Sequence, residues 1–332
     1  MILIQRAAVW FLPLLLLACD LDEVPSFVPE SSVTNYRLEM RELVQDISRY
    51  ARSRNRDFII VPQNGVELVT ATGRVTGAVE TEYLAALDGI AQQGVFFGLE
   101  TVDQPSSATE SERLRGFLDI ARDEGGVTVF STDFAVTERN VDESILLNEE
   151  AGYLGFAAPR AELDTIPDYP AVIPNSNRAD IEDLGFSRNF LHLTNPQLFS
   201  TAQELVDAVV ETDYDVVIID FFFIGVPFTA EQIRQLRFKA NGGRRLLLAY
   251  LSVGQAESDR FYWQSFWPSN PPNWLLDEVS GSPGNYHIRY WLQPWRDTLF
   301  GESGDYVDRV IDAGFDGVYM DHIDEFEYFE EL

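Results

Sequence analysis

The sequence has almost no cysteine and few histidines. Its one cysteine, Cys19, lies near the amino terminus, which excludes internal disulfides, cysteine-rich zinc sites and a catalytic cysteine–histidine pair. The three histidines, His192, His287 and His322, lie on separate segments and form no pair at metal-ligand spacing. We therefore expect no metal site and no cofactor.

Positive charge is also scarce. The 332 residues include 24 Lys and Arg against 54 Asp and Glu, and Lys239 is the only lysine. Proteins that bind a phosphate backbone neutralise it with clustered Lys and Arg, so nucleic acid is excluded as an expected partner. A cationic or neutral ligand fits the formal net charge of −30 better. The alternative is that the acidity only keeps the protein soluble, for instance in a salty habitat.

The amino terminus lacks an apolar run long enough for a membrane span. Arg6 precedes an apolar run from Ala7 to Leu17, which is the pattern of a signal peptide over residues 1–18. Small and apolar residues before Cys19 resemble the lipobox of bacterial lipoproteins, in which the cysteine is acylated. This predicts an exported protein of the bacterial cell envelope, attached to the membrane by lipid on Cys19. An ordinary signal peptide with an incidental Cys19 is the alternative.

Residues 19–35 contain two prolines, several acids and no apolar period, so we expect a flexible tether after the lipidated cysteine. The folded domain is expected over residues 36–332. It begins with an amphipathic helix from Tyr36 to Arg52, in which apolar residues recur at helical spacing.

Eight short apolar runs follow this helix and are typical of parallel strands covered on both faces. They are Phe58–Val61, Val95–Leu99, Val127–Phe130, Tyr153–Ala157, Phe190–Leu193, Val216–Ile219, Leu246–Leu251 and Gly317–Met320. Helical spacing appears between many of them, at Tyr83–Gln92, Glu112–Glu124, Ala202–Thr212, Glu231–Ala240 and Tyr306–Ala313. Residues 159–187, with four prolines, are expected to be irregular.

Repeated strand–helix pairs predict an α/β fold, namely a single (β/α)8 TIM-type barrel with an extra helix at its amino terminus. An open doubly wound sheet is the alternative. Such a sheet often binds a nucleotide through a glycine-rich turn after its first strand, and the turn here, Pro62 to Gly65, carries no phosphate-binding pattern.

Three of the predicted strands lead to acidic side chains. Asp220 follows the sixth strand, Glu257 follows the seventh, and Asp321 ends the eighth. Active sites of TIM barrels lie at the carboxyl ends of the strands, so these three carboxylates are expected to share one mouth.

The strand-end motifs VVIIDFFF, LLLAYLSVGQAESDRFYW and GVYMDHIDEF resemble those of glycoside hydrolase family 114, the endo-α-1,4-polygalactosaminidase family and its relatives. Further similar stretches are FIIVPQNG at 58–65, YLAALDGI at 83–90, GNYHIRYW at 284–291 and GFDGVYMD at 314–321. The resemblance covers most of the chain after the tether. It implies an endo-acting glycosidase that cuts an envelope or extracellular polysaccharide, and its polygalactosaminidase branch adds the expectation of a cationic substrate rich in galactosamine.

Glycoside hydrolysis usually needs one protonated and one ionised carboxyl group. We assign Glu257 as the general acid, Asp321 as nucleophile or base, and Asp220 as a group that holds the sugar or tunes its neighbours. Each could instead be a structural acid at the barrel mouth. Asp324 and Glu325 are expected to begin a terminal helix, whereas Asp316 is expected at the opposite face of the barrel.

Aromatic and polar side chains near these acids are candidate sugar ligands. They are Tyr250, Ser252, Trp291, Tyr319 and Asp324. Five of the six tryptophans lie between the seventh and eighth strands, which predicts a long aromatic loop there. Flat rings stack on apolar sugar faces, although any single tryptophan could instead form the core of that loop.

The chain departs from the family pattern at two positions. Tyr319 stands where the polygalactosaminidase branch commonly has a glutamate, and Gln255 stands where related sequences often have one. These departures leave two hypotheses open: a glycoside hydrolase, or a non-catalytic envelope lipoprotein that binds glycan or assists export. In either case we expect a monomer.

Overall fold

The computed structural model describes residues 35–301 and 304–332. Residues Asn35–Leu332 form one compact unit. The predicted signal peptide, Cys19 and nearly all of the predicted tether lie outside the described residues. Within the described ranges, no helix combines the length and the apolar composition that a membrane crossing requires.

Eight parallel strands dominate the fold. They are β1 (Ile59–Pro62), β2 (Gly89–Gln93), β3 (Thr128–Phe134), β4 (Leu154–Ala158), β5 (Phe190–Leu193), β6 (Val216–Asp220), β9 (Leu246–Ser252) and β13 (Gly317–Asp321). Five of them form a sheet in the order β1-β13-β9-β6-β5, and three form a sheet in the order β2-β3-β4. Seven of the eight predicted apolar runs overlap one of these strands.

The first and last of these strands are neighbours. Ile59 of β1 pairs with Gly317 of β13, and all pairs within the two sheets are parallel. An isolated parallel bridge between Gln63 and Ala91 joins the end of β1 to β2. Pairing of the first strand with the last is expected of a TIM-type barrel and not of the doubly wound alternative. The parallel central sheet is therefore compatible with a TIM-type barrel.

Helices separate most of these strands. They are α1 (Tyr36–Arg54), α2 (Thr81–Leu84), α3 (Ala108–Gly125), α4 (Glu138–Ala151), α5 (Ala202–Val210), α6 (Ala230–Leu236), α7 (Gln293–Leu299), α8 (Tyr306–Ala313) and α9 (Glu325–Glu330). The connection between β4 and β5 contains only a short 3₁₀ turn, Leu184–Phe186. This is the proline-rich segment that the sequence predicts to be irregular.

Helix α1 packs against the other end of the chain. Its carboxamide cap, Asn35, accepts a hydrogen bond from the amide of Leu38, and its apolar face is fully buried at Leu43 and Ile47. The hydroxyl of Tyr50 donates to Asp308 of α8, and Arg37 forms an ion pair with Glu330 of α9 at 2.8 Å. Contacts with α8 and α9 place α1 beside the last strand–helix unit.

Two predictions for residues 83–99 are wrong. The predicted helix Tyr83–Gln92 is only the short α2 followed by β2, and the predicted strand Val95–Leu99 is a loop. The backbone amides of Phe96 and Phe97 donate to the buried carboxylate of Asp133 at 2.9 and 3.1 Å, so the loop is fixed by a side chain instead of a strand ladder. A buried carboxylate from a distant segment supplied the acceptors that a neighbouring strand would have provided.

The long connection between β9 and β13 contains further regular structure. It carries β10 (Gln255–Glu257), β11 (Leu275–Glu278) and β12 (Asn285–Ile288), which pair antiparallel in the order β10-β12-β11. Its tryptophan rings pack on one another, with Trp274 5.1 Å from Trp267 and 5.0 Å from Trp295. A two-stranded hairpin, β7 (Phe222–Phe223) and β8 (Val226–Pro227), follows β6.

Candidate functional site

Two of the three predicted carboxylates end β6 and β13, the strands on either side of β9, and the third lies five residues beyond the end of β9. Asp220, the last residue of β6, is in register with Tyr250 of β9. Asp321, the last residue of β13, is in register with Ser252 of β9. Glu257 ends β10, which continues directly from β9. The fold therefore collects all three acids at the end of the sheet where TIM-type barrels carry their active sites.

One buried arginine joins two of these acids. Arg260 donates from Nε to Oε2 of Glu257 at 2.6 Å and from Nη1 to Oδ2 of Asp220 at 2.8 Å. Its guanidinium also lies over the rings of Phe222 and Tyr250, at 5.4 and 5.8 Å from their centroids. Because both carboxyl groups bond to one guanidinium, their separation falls below the upper limit of ~9.5 Å for paired glycosidase carboxyls.

Tyrosine side chains complete the surroundings of Glu257. The hydroxyl of Tyr250 donates to Oε1 of Glu257 at 3.1 Å. The hydroxyl of Tyr262 accepts a hydrogen bond from the backbone amide of Glu257 at 2.9 Å. Both oxygens of the Glu257 carboxylate thus have donors, an arrangement that suits the ionised form.

Burial changes the ionisation of Asp220. It raises the pKa of Asp220 to about 7, against the opposing effect of Arg260, and the negative charge of Glu257 raises it further. Burial likewise raises the pKa of Tyr250 well above its ordinary value. The guanidinium of Arg260 remains protonated, since the surrounding negative charges raise its pKa despite burial. A carboxyl group that titrates near neutral pH is what acid–base catalysis requires.

Asp321 belongs to a neighbouring polar network. Its Oδ1 accepts from Nε2 of Gln63 at 2.7 Å and from the backbone amide of His322 at 2.8 Å. Gln93, at the end of β2, extends the network by donating to Oε1 of Gln63 at 3.5 Å. Amide groups from β1 and β2 therefore line the side of the mouth next to Asp321, where they could bond sugar hydroxyls.

The backbone turns sharply after Asp321. His322 adopts a left-handed conformation with φ of 59°, which is uncommon for any residue other than glycine. Its carbonyl oxygen approaches Gly254 so closely that a Cβ at that position would lie 1.9 Å away. Gly254 is thus required by close approach of two backbones, and the turn brings Nδ1 of His322 to 3.0 Å from Oγ of Ser252.

The remaining candidate sugar ligands lie in different surroundings. Ser252 is buried and donates to the carbonyl of Gln255 at 2.7 Å. Tyr319 is 1% exposed, and its ring meets that of His192 at 5.0 Å. Trp291 packs between Tyr36 of α1 and Phe329 of α9. The structure does not bring Trp291 together with Asp220 and Glu257.

Asp324 lies at the start of α9, as expected, with Glu325 as the first helical residue. Burial raises the pKa of Asp324 to about 7, and the negative charge of Asp321 adds to this effect. Glu325 bonds Nδ1 of His287 at 2.6 Å and accepts from Gln255 at 2.9 Å. These bonds tie β10, which carries Glu257, to the terminal helix.

Asp316 lies at the opposite end of β13, also as expected. Its carboxylate pairs with Arg237 at 2.9 Å and accepts from the backbone amide of Leu247 at 2.9 Å. In the described part of the chain, no cluster of three or more His, Cys, Asp and Glu side chains has the arrangement of a metal site.

The strand-end acids and their arginine fall within one family signature. Residues 195–332 match the model of glycoside-hydrolase family GH114. The resemblance inferred from the strand-end motifs is thus confirmed for this part of the chain. The GH114 segment contains β6, β9, β10 and β13, and with them Asp220, Glu257, Arg260 and Asp321. The family it matches is one of glycoside hydrolases.

Similar curated proteins come from distant organisms, and each is described only as an uncharacterized protein. One from Methanocaldococcus jannaschii is 34% identical over 173 residues, covering 50% of this chain and 48% of its own length. One from Thermotoga maritima is 37% identical over 118 residues, covering 36% and 35%. One from Deinococcus radiodurans is 40% identical over 132 residues, covering 40% of each. The chain spans about half or less of the length of these relatives.

Sequence reasoning did not identify Arg260 or Gln63 as members of the site. Arg260 has a local signal, because it is a basic residue three positions after Glu257 in an acidic motif. Gln63 has a weaker one, a polar residue directly after a buried strand. Their partners, Asp220 and Asp321, are distant in sequence, so only the fold reveals these contacts.

Proposed function

We propose that the protein is an endo-acting glycoside hydrolase that cuts an envelope or extracellular polysaccharide by paired-carboxylate catalysis. The observation that carries the proposal is the pairing of Asp220, at the end of β6, and Glu257, which follows the neighbouring strand β9, on Arg260 within the segment that matches the GH114 model. Paired carboxyls around a scissile bond are the chemical requirement of this reaction.

The roles within the pair follow from their surroundings. Asp220, whose pKa burial raises to about 7, suits the group that protonates the leaving oxygen. Glu257, with donors on both oxygens, suits the ionised partner. The acid role assigned to Glu257 from the sequence thereby passes to Asp220, and Asp321 becomes the group that orients the sugar beside Gln63.

The substrate we propose is neutral or cationic, because an acidic protein attracts a cationic glycan such as a galactosamine-rich one. Tyr250 is the aromatic candidate that contacts the acid pair directly. Closure of the two parallel sheets into one (β/α)8 barrel belongs to the same proposal. The 5.5 Å approach of the rings of Phe156 in β4 and Phe190 in β5 supports that closure.

The test is to incubate the purified protein with a panel of polysaccharides, including partly deacetylated galactosaminoglycan, and to measure product length by mass spectrometry. Shortened oligomers are expected with the wild type and not with the Asp220→Asn, Glu257→Gln double variant. Asp220→Asn should retain more activity on substrates whose leaving group needs no protonation, whereas Glu257→Gln should not. Absence of cleavage across the panel would contradict the proposal.

A non-catalytic glycan-binding or export-assisting protein is the second candidate. The burial of Arg260 between Asp220 and Glu257 favours it, since a sealed ion cluster also serves a purely structural purpose. Retention of a polysaccharide by the wild type, without any shortening and without dependence on Asp220 or Glu257, would support this candidate.

We also propose that the protein is exported and held at the membrane by lipid on Cys19, a position outside the described residues. Stable anchoring requires two or more acyl chains, because one chain alone gives an affinity of only ~10⁴ M⁻¹. Cys19→Ser should release the protein from the membrane fraction or block processing. Normal trimming and membrane retention of that variant would contradict the anchor.

A further inference from the structure

The trio of Asp220, Arg260 and Glu257 contains two carboxyl groups and one positively charged guanidinium. When both carboxyl groups are ionised, the guanidinium neutralises only one of the two negative charges. The trio is also largely withdrawn from water, with Arg260 6% and Glu257 8% exposed. A surplus negative charge in such surroundings favours uptake of one proton by the pair.

The contacts of Arg260 are unequal. Glu257 accepts from Nε at 2.6 Å and has a second donor in Tyr250, at 3.1 Å. Asp220 shares Nη1 between its two oxygens, at 3.0 and 2.8 Å, and has a second donor in the backbone amide of Phe222, at 2.9 Å. One nitrogen thus serves each acid, and Glu257 holds the shorter bond.

Arg260 has little freedom to leave this position. Its guanidinium lies over the rings of Phe222 and Tyr250, which belong to two different strands. The planar fork of arginine can bond two carboxyl groups at once, whereas a lysine ammonium provides a single point charge. The geometry therefore fixes both the distance between the acids and the charge they share.

We propose that Arg260 is the positioning residue that makes the two acids of the pair unequal. It holds one carboxyl group on each of two nitrogens, and its single positive charge neutralises only one of the two carboxylates. One proton then remains on the pair, and the carboxyl groups act as acid and base instead of two equivalent anions. We call this unequal neutralisation of the two carboxyl groups the division of charge. Its catalytic consequence rests on the proposed hydrolase function, whereas the division of charge itself does not.

Other ionisable groups face the trio and must be considered. They are Tyr250, Asp259, Tyr262, Tyr306, Asp321 and His322. Burial raises the pKa values of the three tyrosines far enough to keep them neutral throughout the neutral range. Asp259 is exposed. Asp321 and His322 therefore require a control, so each titration below is repeated in the Asp321→Asn background and in the His322→Asn background.

The first experiment titrates the side-chain carboxyl carbons by ¹³C NMR without substrate. Arg260→Met removes the positive charge, so the upper midpoint of the pair, near 7 in the wild type, should rise by roughly 1 to 3 units. Arg237→Met is the matched control, because it removes an arginine from the carboxylate of Asp316 at the opposite end of β13. That control should leave the midpoint unchanged.

A second variant keeps the test decisive if Arg260→Met does not fold. Glu257→Gln leaves Arg260 in place and removes the surplus negative charge, so Asp220 gains the whole guanidinium. Its midpoint should fall by roughly 1 to 3 units. A midpoint that stays near 7 in Glu257→Gln, or in folded Arg260→Met, overturns the proposal.

Turnover separates this proposal from the hydrolase proposal. With a cleaved substrate, Arg260→Met should move the pH optimum of kcat upward by the same amount as the carboxyl midpoint, and Arg260→Lys should lower kcat about tenfold or more with a smaller pH shift. Shifted titrations without any cleavage contradict the hydrolase function and support the division of charge. Cleavage with unshifted titrations overturns the role of Arg260 alone.

Discussion

The hydroxyl of Tyr250 reaches across from β9 to donate a hydrogen bond to Oε1 of Glu257, 3.1 Å away. Tyr250 is also the strand partner of Asp220. Tyr250 therefore bonds one of the two acids that Arg260 joins and lies beside the other in the sheet, and removal of its hydroxyl should affect catalysis more than folding.

Tyr250→Phe should lower kcat/KM roughly 10- to 100-fold, because hydrogen bonds to charged groups contribute about 1.5 to 3 kcal/mol and 1.36 kcal/mol corresponds to a factor of ten. Steady-state kinetics on the substrate found in the panel measures this. Tyr153→Phe, which removes a hydroxyl that donates to Asp119 of α3 at 2.7 Å, is the matched control and should keep its activity. Equal kinetics for the two variants would show that the Tyr250 hydroxyl is dispensable.

Asp321→Asn should reduce turnover more than Asp324→Asn does. Asp321 ends β13 at the mouth and accepts a hydrogen bond from Gln63, whereas Asp324 lies at the start of α9. A group that bonds the reacting sugar contributes on the order of 10²-fold or more, whereas Asp324 precedes a helix that its side chain does not cap. Parallel kinetics of both variants test this order, and a larger loss for Asp324→Asn would reverse the assignment.

Asp324→Asn should gain stability relative to the wild type as the pH rises from 5 to 8. The folded-state pKa of Asp324 is raised to about 7 from 3.8, so the folded protein binds more protons than the unfolded chain between these values. The contribution of Asp324 is then most favourable below pH 4 and is lost as the pH rises through 7. Asparagine has no such dependence.

Urea unfolding of both proteins at pH 5 and at pH 8 provides the measurement. Asp168→Asn, on the irregular segment between β4 and β5, is a control for the loss of an exposed carboxylate. A difference in unfolding free energy between Asp324→Asn and the wild type that is the same at both pH values would contradict the raised pKa.

Leu43→Ala should destabilise the protein by about 2 to 5 kcal/mol, because Leu43 is fully buried in the interface of α1. Leu38→Ala, on the same helix but 43% exposed, should cost much less. Unfolding by urea at a single pH compares them. Equal, small effects would mean that α1 is not part of the cooperative core.

Most of the strands could be predicted from the sequence because their apolar runs reflect burial on both faces, as in Val216–Asp220 and Leu246–Ser252. The second strand could not. Gly89–Gln93 ends in two glutamines, which bond Asn64 and Gln63, while the more apolar residues at 95–97 form a loop anchored on Asp133. Local hydrophobicity therefore predicted a strand in the loop and not at Gly89–Gln93.

The acids of the site were predictable because they follow strands, but their grouping was not. Position in the chain placed Asp220, Glu257 and Asp321 in one set, with Glu257 and Asp321 as the acting pair. The structure instead separates a buried pair on Arg260 from Asp321 on Gln63. Such grouping depends on side-chain contacts up to 258 positions apart, which no local pattern encodes.

The packing of α1 against α8 and α9 determines when the fold can be completed. Arg37 of α1 and Glu330 of α9 lie 293 positions apart, so α1 can reach its final packing only after α9 has been synthesised. Until then α1, with its apolar stripe of Met40, Leu43, Val44 and Ile47, lacks its contacts with α8 and α9. A polypeptide that stops before residue 325 would therefore expose apolar surface that the complete fold buries, and it would be prone to aggregate.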